Sequence, residues 1–131
     1  MTIDFLTTPS CTSCRKAKSW LDDHNLEYNE RNIFVDPLSK AELKYILRLS
    51  EIGTDELISK RSDAYKNFQT SIEDMNLDQL LTLLSRHPEM IRRPIIVDTT
   101  RLQVGYNDDE IRRFLPRDIR KLDLERMLAK A

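Results

Sequence analysis

The sequence predicts an α/β protein with a small mixed sheet of four strands and a block of helices inserted between its two halves. Three observations carry this. Short β-favouring runs occur only towards the two ends of the chain, at 3–7, 26–33, 93–98 and 102–105. Residues 37–86 between them carry apolar stripes at helical spacing. A C-x-x-C, Cys11 to Cys14, sits between the first strand and the first helix, a pattern that points to thiol redox chemistry beside a βαβ unit.

Ile3-Asp4-Phe5-Leu6-Thr7 partly alternates and runs into the turn Thr8-Pro9-Ser10. From Thr12 a helix places Cys14, Ala17 and Leu21 on one face, with Trp20 beside them, and stops near His24-Asn25. Residues 26–33 form a second extended segment with Tyr28 and Ile33 inward. Ser39-Lys40-Ala41-Glu42 has capping-box spacing and opens a helix with Leu43, Ile46, Leu47 and Ser50 on one face. Gly53 follows, placed for the left-handed residue that ends a helix, and Thr54 caps a short helix through Leu57 and Ile58. Ala64, Tyr65 and Phe68 mark another helix. Asn76 to Gln79 repeats the capping pattern ahead of a stripe of Leu77, Leu80, Leu81 and Leu84. Arg93-Pro94-Ile95-Ile96-Val97-Asp98 is a buried strand with its proline at the start, where a missing donor is tolerated. Thr99-Thr100 turns the chain into a paired strand at 102–105. Asn107 to Glu110 caps a helix with Ile111, Phe114 and Leu115, and Pro116 begins a last helix through Leu122, Leu124 and Leu128. This order is the thioredoxin arrangement. It predicts a single domain, 1–131, with a thioredoxin-like part at 1–36 and 87–131 and a helical insertion at 37–86.

Composition narrows the function. The chain has 131 residues, enough for one core that buries roughly two-thirds of the unfolded surface without disulfide or metal staples. Its 21 Lys+Arg and 22 Asp+Glu give a net charge of −1, which argues against a free-standing, non-specific nucleic-acid binder. Eight of the 13 arginines lie from Arg92 onward, offering either a solvated face or a docking surface for an acidic partner. No apolar run approaches the ~18 residues of a membrane span, and the first residues lack the features of a signal peptide. A cytoplasmic protein is expected. The two glycines, Gly53 and Gly105, cannot supply a Gly-rich phosphate loop. One thiol pair with two scattered histidines is too few for a structural zinc site. Neither metal nor cofactor is expected.

A cysteine just ahead of a helix faces unpaired amides and the positive end of the helix dipole, which favour its thiolate. Arg15 and Lys16 add positive charge. Cys11 is therefore the candidate nucleophile and Cys14, one turn in, the resolving thiol. A sulfenic acid at Cys11 would condense with Cys14 to a disulfide, and exchange with another disulfide reaches the same state. The alternative is a pair of inert helix cysteines. In the thioredoxin fold the proline ahead of the third strand is cis and faces the active cysteine. Pro94 is expected to be that residue, which would put Arg93 near Cys11, able to steady a thiolate or hold an oxyanion.

The segments Thr8-Pro9-Ser10-Cys11-Thr12-Ser13-Cys14-Arg15-Lys16-Ala17, Arg31-Asn32-Ile33-Phe34, Arg92-Arg93-Pro94-Ile95-Ile96-Val97-Asp98, Arg101-Leu102-Gln103-Val104-Gly105-Tyr106-Asn107 and Ile111-Arg112-Arg113-Phe114-Leu115-Pro116-Arg117 resemble the Spx family of redox-sensing transcriptional regulators over essentially the whole chain. The wider superfamily is that of the glutaredoxin-linked arsenate reductases. Cys11 and Arg15 match its C-x-x-x-R, and Arg93 and Arg61 look like two of its oxyanion arginines. A third is replaced by Val104, which weakens the alternative of an arsenate-reductase or glutaredoxin-like thiol oxidoreductase. The Spx resemblance implies a non-enzymatic protein, monomeric alone. It implies binding to the C-terminal domain of the RNA polymerase α subunit, contact with promoter DNA only together with polymerase, and interference with activators that need the same surface. It also implies a Cys11–Cys14 disulfide switch for thiol-stress genes, an interface glycine at Gly53, a redox-responsive arginine at Arg93, and degradation by the ClpXP protease with an adaptor. The ending Leu128-Ala129-Lys130-Ala131 is a candidate degradation signal.

Overall fold

A computed structural model describes residues 2–130. Strand β1 (Ile3–Thr7) leads into α1 (Thr12–Asp23) and β2 (Tyr28–Asn32). The helices α2 (Lys40–Leu49), α3 (Thr54–Leu57), α4 (Asp63–Glu73) and α5 (Leu77–Arg86) follow, then a 3-10 turn at Pro88–Met90. The chain closes with β3 (Ile95–Val97), β4 (Leu102–Val104), a 3-10 turn at Glu110–Phe114 and α6 (Arg117–Lys130). No helix among the described residues is long and apolar enough to cross a membrane. The last residue of the candidate degradation signal, Ala131, lies outside the described residues.

The strands form one mixed sheet in the order β2-β1-β3-β4. β1 and β2 are parallel, Phe5 opposite Glu30, so a crossover must join them, and α1 supplies it. β3 runs antiparallel to β1, Phe5 opposite Ile96, and β4 antiparallel to β3, Ile96 opposite Gln103. Alternation along the strands sends Ile3, Phe5 and Ile96 to one face, where they pack with Ala17 and Leu21 of α1 and with Ile111 and Phe114. Leu6, Ile95, Val97, Leu102 and Val104 go to the other, where they meet Leu43, Ile46, Leu81, Leu84, Met90 and Ile91. The helices between β2 and β3 thus share a core with the sheet.

Local signals form as predicted at most positions. Ser39 and Glu42 make a reciprocal capping box on α2, and Asn76 and Gln79 make another on α5. Asn25, just past α1, has φ 55°. Three details differ. The helix after Asn107 is a short 3-10 turn, held where the Asn107 Oδ1 accepts from the backbone N–H groups of Asp109 and Glu110. Leu77 is 52 % exposed, because it is the first residue of α5 and the stripe turns onto the core only from Leu80. Gly53 does not end α2. That helix closes at Ser50, whose hydroxyl turns back to the Leu47 carbonyl. Gly53 is the N-cap of α3, with φ 86° and ψ −141°, a backbone region essentially reserved for glycine. Thr54 is then the first helical residue rather than the cap, so the helix begins one position earlier than expected.

Candidate functional site

The cysteine turn is built by the end of β1 and the start of α1. Ser10 adopts φ 58°, bending the chain so that Cys11 becomes the N-cap residue. Its Sγ accepts a hydrogen bond from the Cys14 backbone N–H at 3.1 Å, the place an N-cap oxygen usually fills. Cys11 is half-buried and Cys14 buried, both as free thiols. They line a shallow pocket of about 250 Å³ together with Thr8, Ser10, Arg15 and Lys18. Burial pushes the Cys14 thiol up to about 12, and its hydrogen bond with Cys11 works in the same direction. The Thr8 backbone N–H and the charge of Arg93 oppose this more weakly. At neutral pH Cys14 is therefore a protonated, inaccessible thiol, while Cys11 meets solvent at the positive end of a helix. That difference in surroundings supports the roles of nucleophile for Cys11 and resolving thiol for Cys14.

The Arg93-Pro94 peptide bond is cis, as expected. Arg93 is half-buried, and its field reaches Cys14. The expected pairing with Cys11 is replaced by another arrangement. The guanidinium donates to the carbonyls of Glu89 at 3.2 Å and Ile91 at 3.4 Å, and lies 5.5 Å from the centre of the Phe34 ring. Carbonyls left over by the short 3-10 turn draw it there. Arg15 is exposed and donates to the Thr12 hydroxyl at 3.2 Å. Arg61 is exposed in the turn between α3 and α4. Val104 is buried in the core and offers no polar group. The described residues hold no group of His, Cys, Asp and Glu suited to a metal ion.

Two neighbours of the site are silent in the sequence. The Thr8 hydroxyl is buried without a hydrogen-bond partner among the described residues. Phe34, 44 % exposed, supplies the ring beside Arg93. A Thr-Pro turn and an aromatic residue past a strand are too common to mark either position.

The helix that Gly53 opens is tied to the segment ahead of the cis-proline. Ile58 and Ile91 form an isolated antiparallel bridge, closed by Ser59 N–H to Met90 O and Arg92 N–H to Leu57 O, both at 2.7 Å. The bridge joins α3, which Gly53 opens, to the segment that enters the cis-proline. Arg92 also donates to the Glu56 carbonyl. Its guanidinium lies so near Gly105 (φ 79°) that a Cβ there would approach it to 3.3 Å.

Comparison with known proteins gives this geometry its context. A model of the ArsC family matches residues 6–114. The global transcriptional regulator Spx of Bacillus subtilis (strain 168) is 54% identical over 122 residues, 93% of each chain. The chain belongs to the ArsC family, in its Spx branch. Spx of Staphylococcus aureus (strain N315) is 51% identical over 123 residues, 94% of each chain. By this membership the protein is a transcriptional regulator. Among solved structures, an ArsC-family-related protein from Bacteroides fragilis superposes with a TM-score of 0.76 at 29% identity, over 84% of this chain and 94% of its own. An arsenate reductase from Vibrio cholerae reaches 0.76 at 21% identity, over 88% and 98%, and bears on the fold alone. The thioredoxin-like α/β architecture of the family is that of this chain.

Proposed function

We propose that this Spx-branch protein is a redox-controlled regulator that binds the C-terminal domain of the RNA polymerase α subunit, with a Cys11–Cys14 disulfide as its switch. The observation that supports this most is the contrast between the two thiols, a half-exposed Cys11 on a helix N-cap and a buried Cys14 one turn behind it. In the switch, a hydroperoxide oxidises the Cys11 thiolate to a sulfenic acid and leaves as alcohol or water. The Cys14 sulfur then attacks Cys11, water departs, and the disulfide closes. The protein dithiol has lost two electrons to the peroxide.

The switch acts through Arg93. In the dithiol form its hydrogen bonds anchor it to Glu89 and Ile91, with its positive field falling on the buried Cys14 sulfur. Closing the disulfide draws the Cys14 sulfur towards Cys11 and tightens the turn, and Arg93 resettles. The Ile58–Ile91 bridge carries the change to α3 and the Gly53 loop, where the α subunit docks. On this reading residues 1–36 and 87–131 with the insertion 37–86 act as one domain. The protein works in the cytoplasm as a monomer until it meets polymerase, contacts promoter DNA only in that company, competes with activators for the same α surface, and is cleared by ClpXP with an adaptor. It carries no reductase activity, in keeping with Val104 at an apolar core position.

Reconstituted transcription tests the reading. Polymerase is supplied with the disulfide form, the dithiol form, or a Cys11→Ala protein at a promoter of a thiol-stress gene. The disulfide form should raise transcript yield and the Cys11→Ala protein should behave like the dithiol form. Equal yields from all three would contradict the switch, and arsenate turnover with a glutaredoxin would replace the regulator reading with the enzymatic one.

A further inference from the structure

Away from the cysteines, the sheet face that carries the helical block is covered only in part. Beside α2 it opens into a cleft of about 620 Å³, floored by Asp4 and Leu6 of β1, Asn29 and Arg31 of β2, and Val97, and walled by Leu38, Ala41, Tyr45 and Ile46. Such a volume, with apolar walls and a few converging polar groups, is typical of small-molecule sites.

The polar groups differ in how far they are already engaged. Arg31 is spent on Glu42, through contacts of 2.5 and 3.2 Å, on Asp36 and on the Pro37 carbonyl. Asp98 is spent on Arg101, and the Tyr45 hydroxyl on the carbonyls of Asp98 and Thr99. Asp4 and Asn29 are different. They stand opposite each other in register on neighbouring strands, both exposed, and neither side chain makes a hydrogen bond or a close ion pair among the described residues, although the Arg31 charge reaches the Asp4 carboxylate. Asp4 is also out of place by sequence logic. β1 is an inner strand, its other four residues are buried, and the same-face Leu6 belongs to the core. A charged residue that breaks the pattern of an inner strand and opens into a cleft points to a binding role.

We infer that this cleft binds a small amphiphilic organic cation, a primary ammonium carried on an apolar body. The ammonium donates to the Asp4 carboxylate and the Asn29 side-chain carbonyl, and the apolar body lies against Leu6, Ile46, Val97 and the Tyr45 ring. With Glu42 paired to Arg31 and the buried Asp98 paired to Arg101, the Asp4 carboxylate is the charge left over at the cleft, and its sign selects a cation. The inference stands apart from the polymerase reading, because it uses neither the cysteines nor Gly53.

The test titrates the full-length dithiol protein with 2-phenylethylamine and follows backbone amide resonances. Saturable shifts should be confined to Asp4, Leu6, Arg31, Ile46, Val97 and their neighbours. The neutral analogue 2-phenylethanol should bind roughly five- to tenfold more weakly, the value of one charged hydrogen bond at a partly exposed site. Asp4→Asn should remove that preference and leave the alcohol's affinity unchanged. Ala41→Phe, on the exposed rim, should block both probes while the protein keeps its thermal unfolding midpoint. Shifts that do not saturate by about 10 mM (the range of affinities too weak to be specific), shifts centred elsewhere, or equal binding of amine and alcohol would overturn the inference.

Discussion

The two faces of the sheet are closed in different ways. Under α1, seven buried residues make a small core in which Phe5 meets Tyr28 edge-on, with ring centres 5.4 Å apart. Under the helical block, 16 buried residues span the sheet, α2, α3, α5 and the 3-10 turn after it, and the open cleft remains beside them. The first face holds the helix that presents Cys11. The second holds the helix that Gly53 opens. Both press on β3, and the residues ahead of that strand carry Arg93 and the cis-proline. A chemical change on one face can therefore reach the other through the strands both cores share, β1 with Ile3, Phe5 and Leu6 and β3 with the residues ahead of it.

This comparison is sharpened first by core truncation. Leu81→Ala under the helical block and Leu21→Ala under α1 should each cost about 2–5 kcal/mol. Trp20, the single tryptophan, reports the α1 face, and far-UV circular dichroism reports mainly the other helices. If the faces unfold as one unit, each variant shifts both signals to the same denaturant midpoint. Separate midpoints would break the picture of a shared unit.

A second effect lies where α2 meets the β3–β4 turn. The buried Asp98 carboxylate accepts from Thr100 N–H, Arg101 N–H and the Arg101 guanidinium, and Tyr45 of α2 donates to the carbonyls beside it. Burial alone would raise this carboxyl, but those donors hold it below the usual carboxylate range. A depressed native value means a stabilisation that is full above the unfolded value near 3.9 and lost as pH falls through the native one. Asp98→Asn should lower the melting temperature at pH 6 and flatten its fall between about pH 4 and pH 2. An unchanged acid profile would remove Asp98 from the junction. Asp98→Ala should cost about 2–4 kcal/mol.

Smaller effects probe the helical side alone. Gly53→Ala should cost about 1–3 kcal/mol through backbone conformation, since an added Cβ would meet open space. Equilibrium unfolding reads the cost, and a neutral result would mean that the loop adapts freely. Ser39→Ala removes half of the α2 capping box and should cost about 1 kcal/mol, with the redox chemistry of Cys11 unmoved.

Much of this is legible in the sequence. Burial of Cys14, Ala17 and Leu21 follows from their spacing, and both capping boxes from residue types three apart. The sequence points to a helix end at Gly53 because a glycine between two helices carries the same signature at the close of one as at the opening of the next. Only the backbone angles separate them. The direction of Arg93 was not legible either. A long side chain beside a cis-proline can reach the sulfur or the carbonyls of Glu89 and Ile91, and the unsatisfied carbonyls exist only once the 3-10 turn has formed. The cleft depends on how far α2 covers the sheet, a tertiary distance to which no local pattern points.

The most direct test of the central claim is the affinity for the isolated C-terminal domain of the polymerase α subunit, measured for the disulfide form, the dithiol form and Cys11→Ala. The account predicts binding, with the disulfide form tighter by about 5–150-fold, the usual range of coupling between two sites, and with Gly53→Arg failing to bind while still folded. No binding in any form, or equal binding in all, would contradict it.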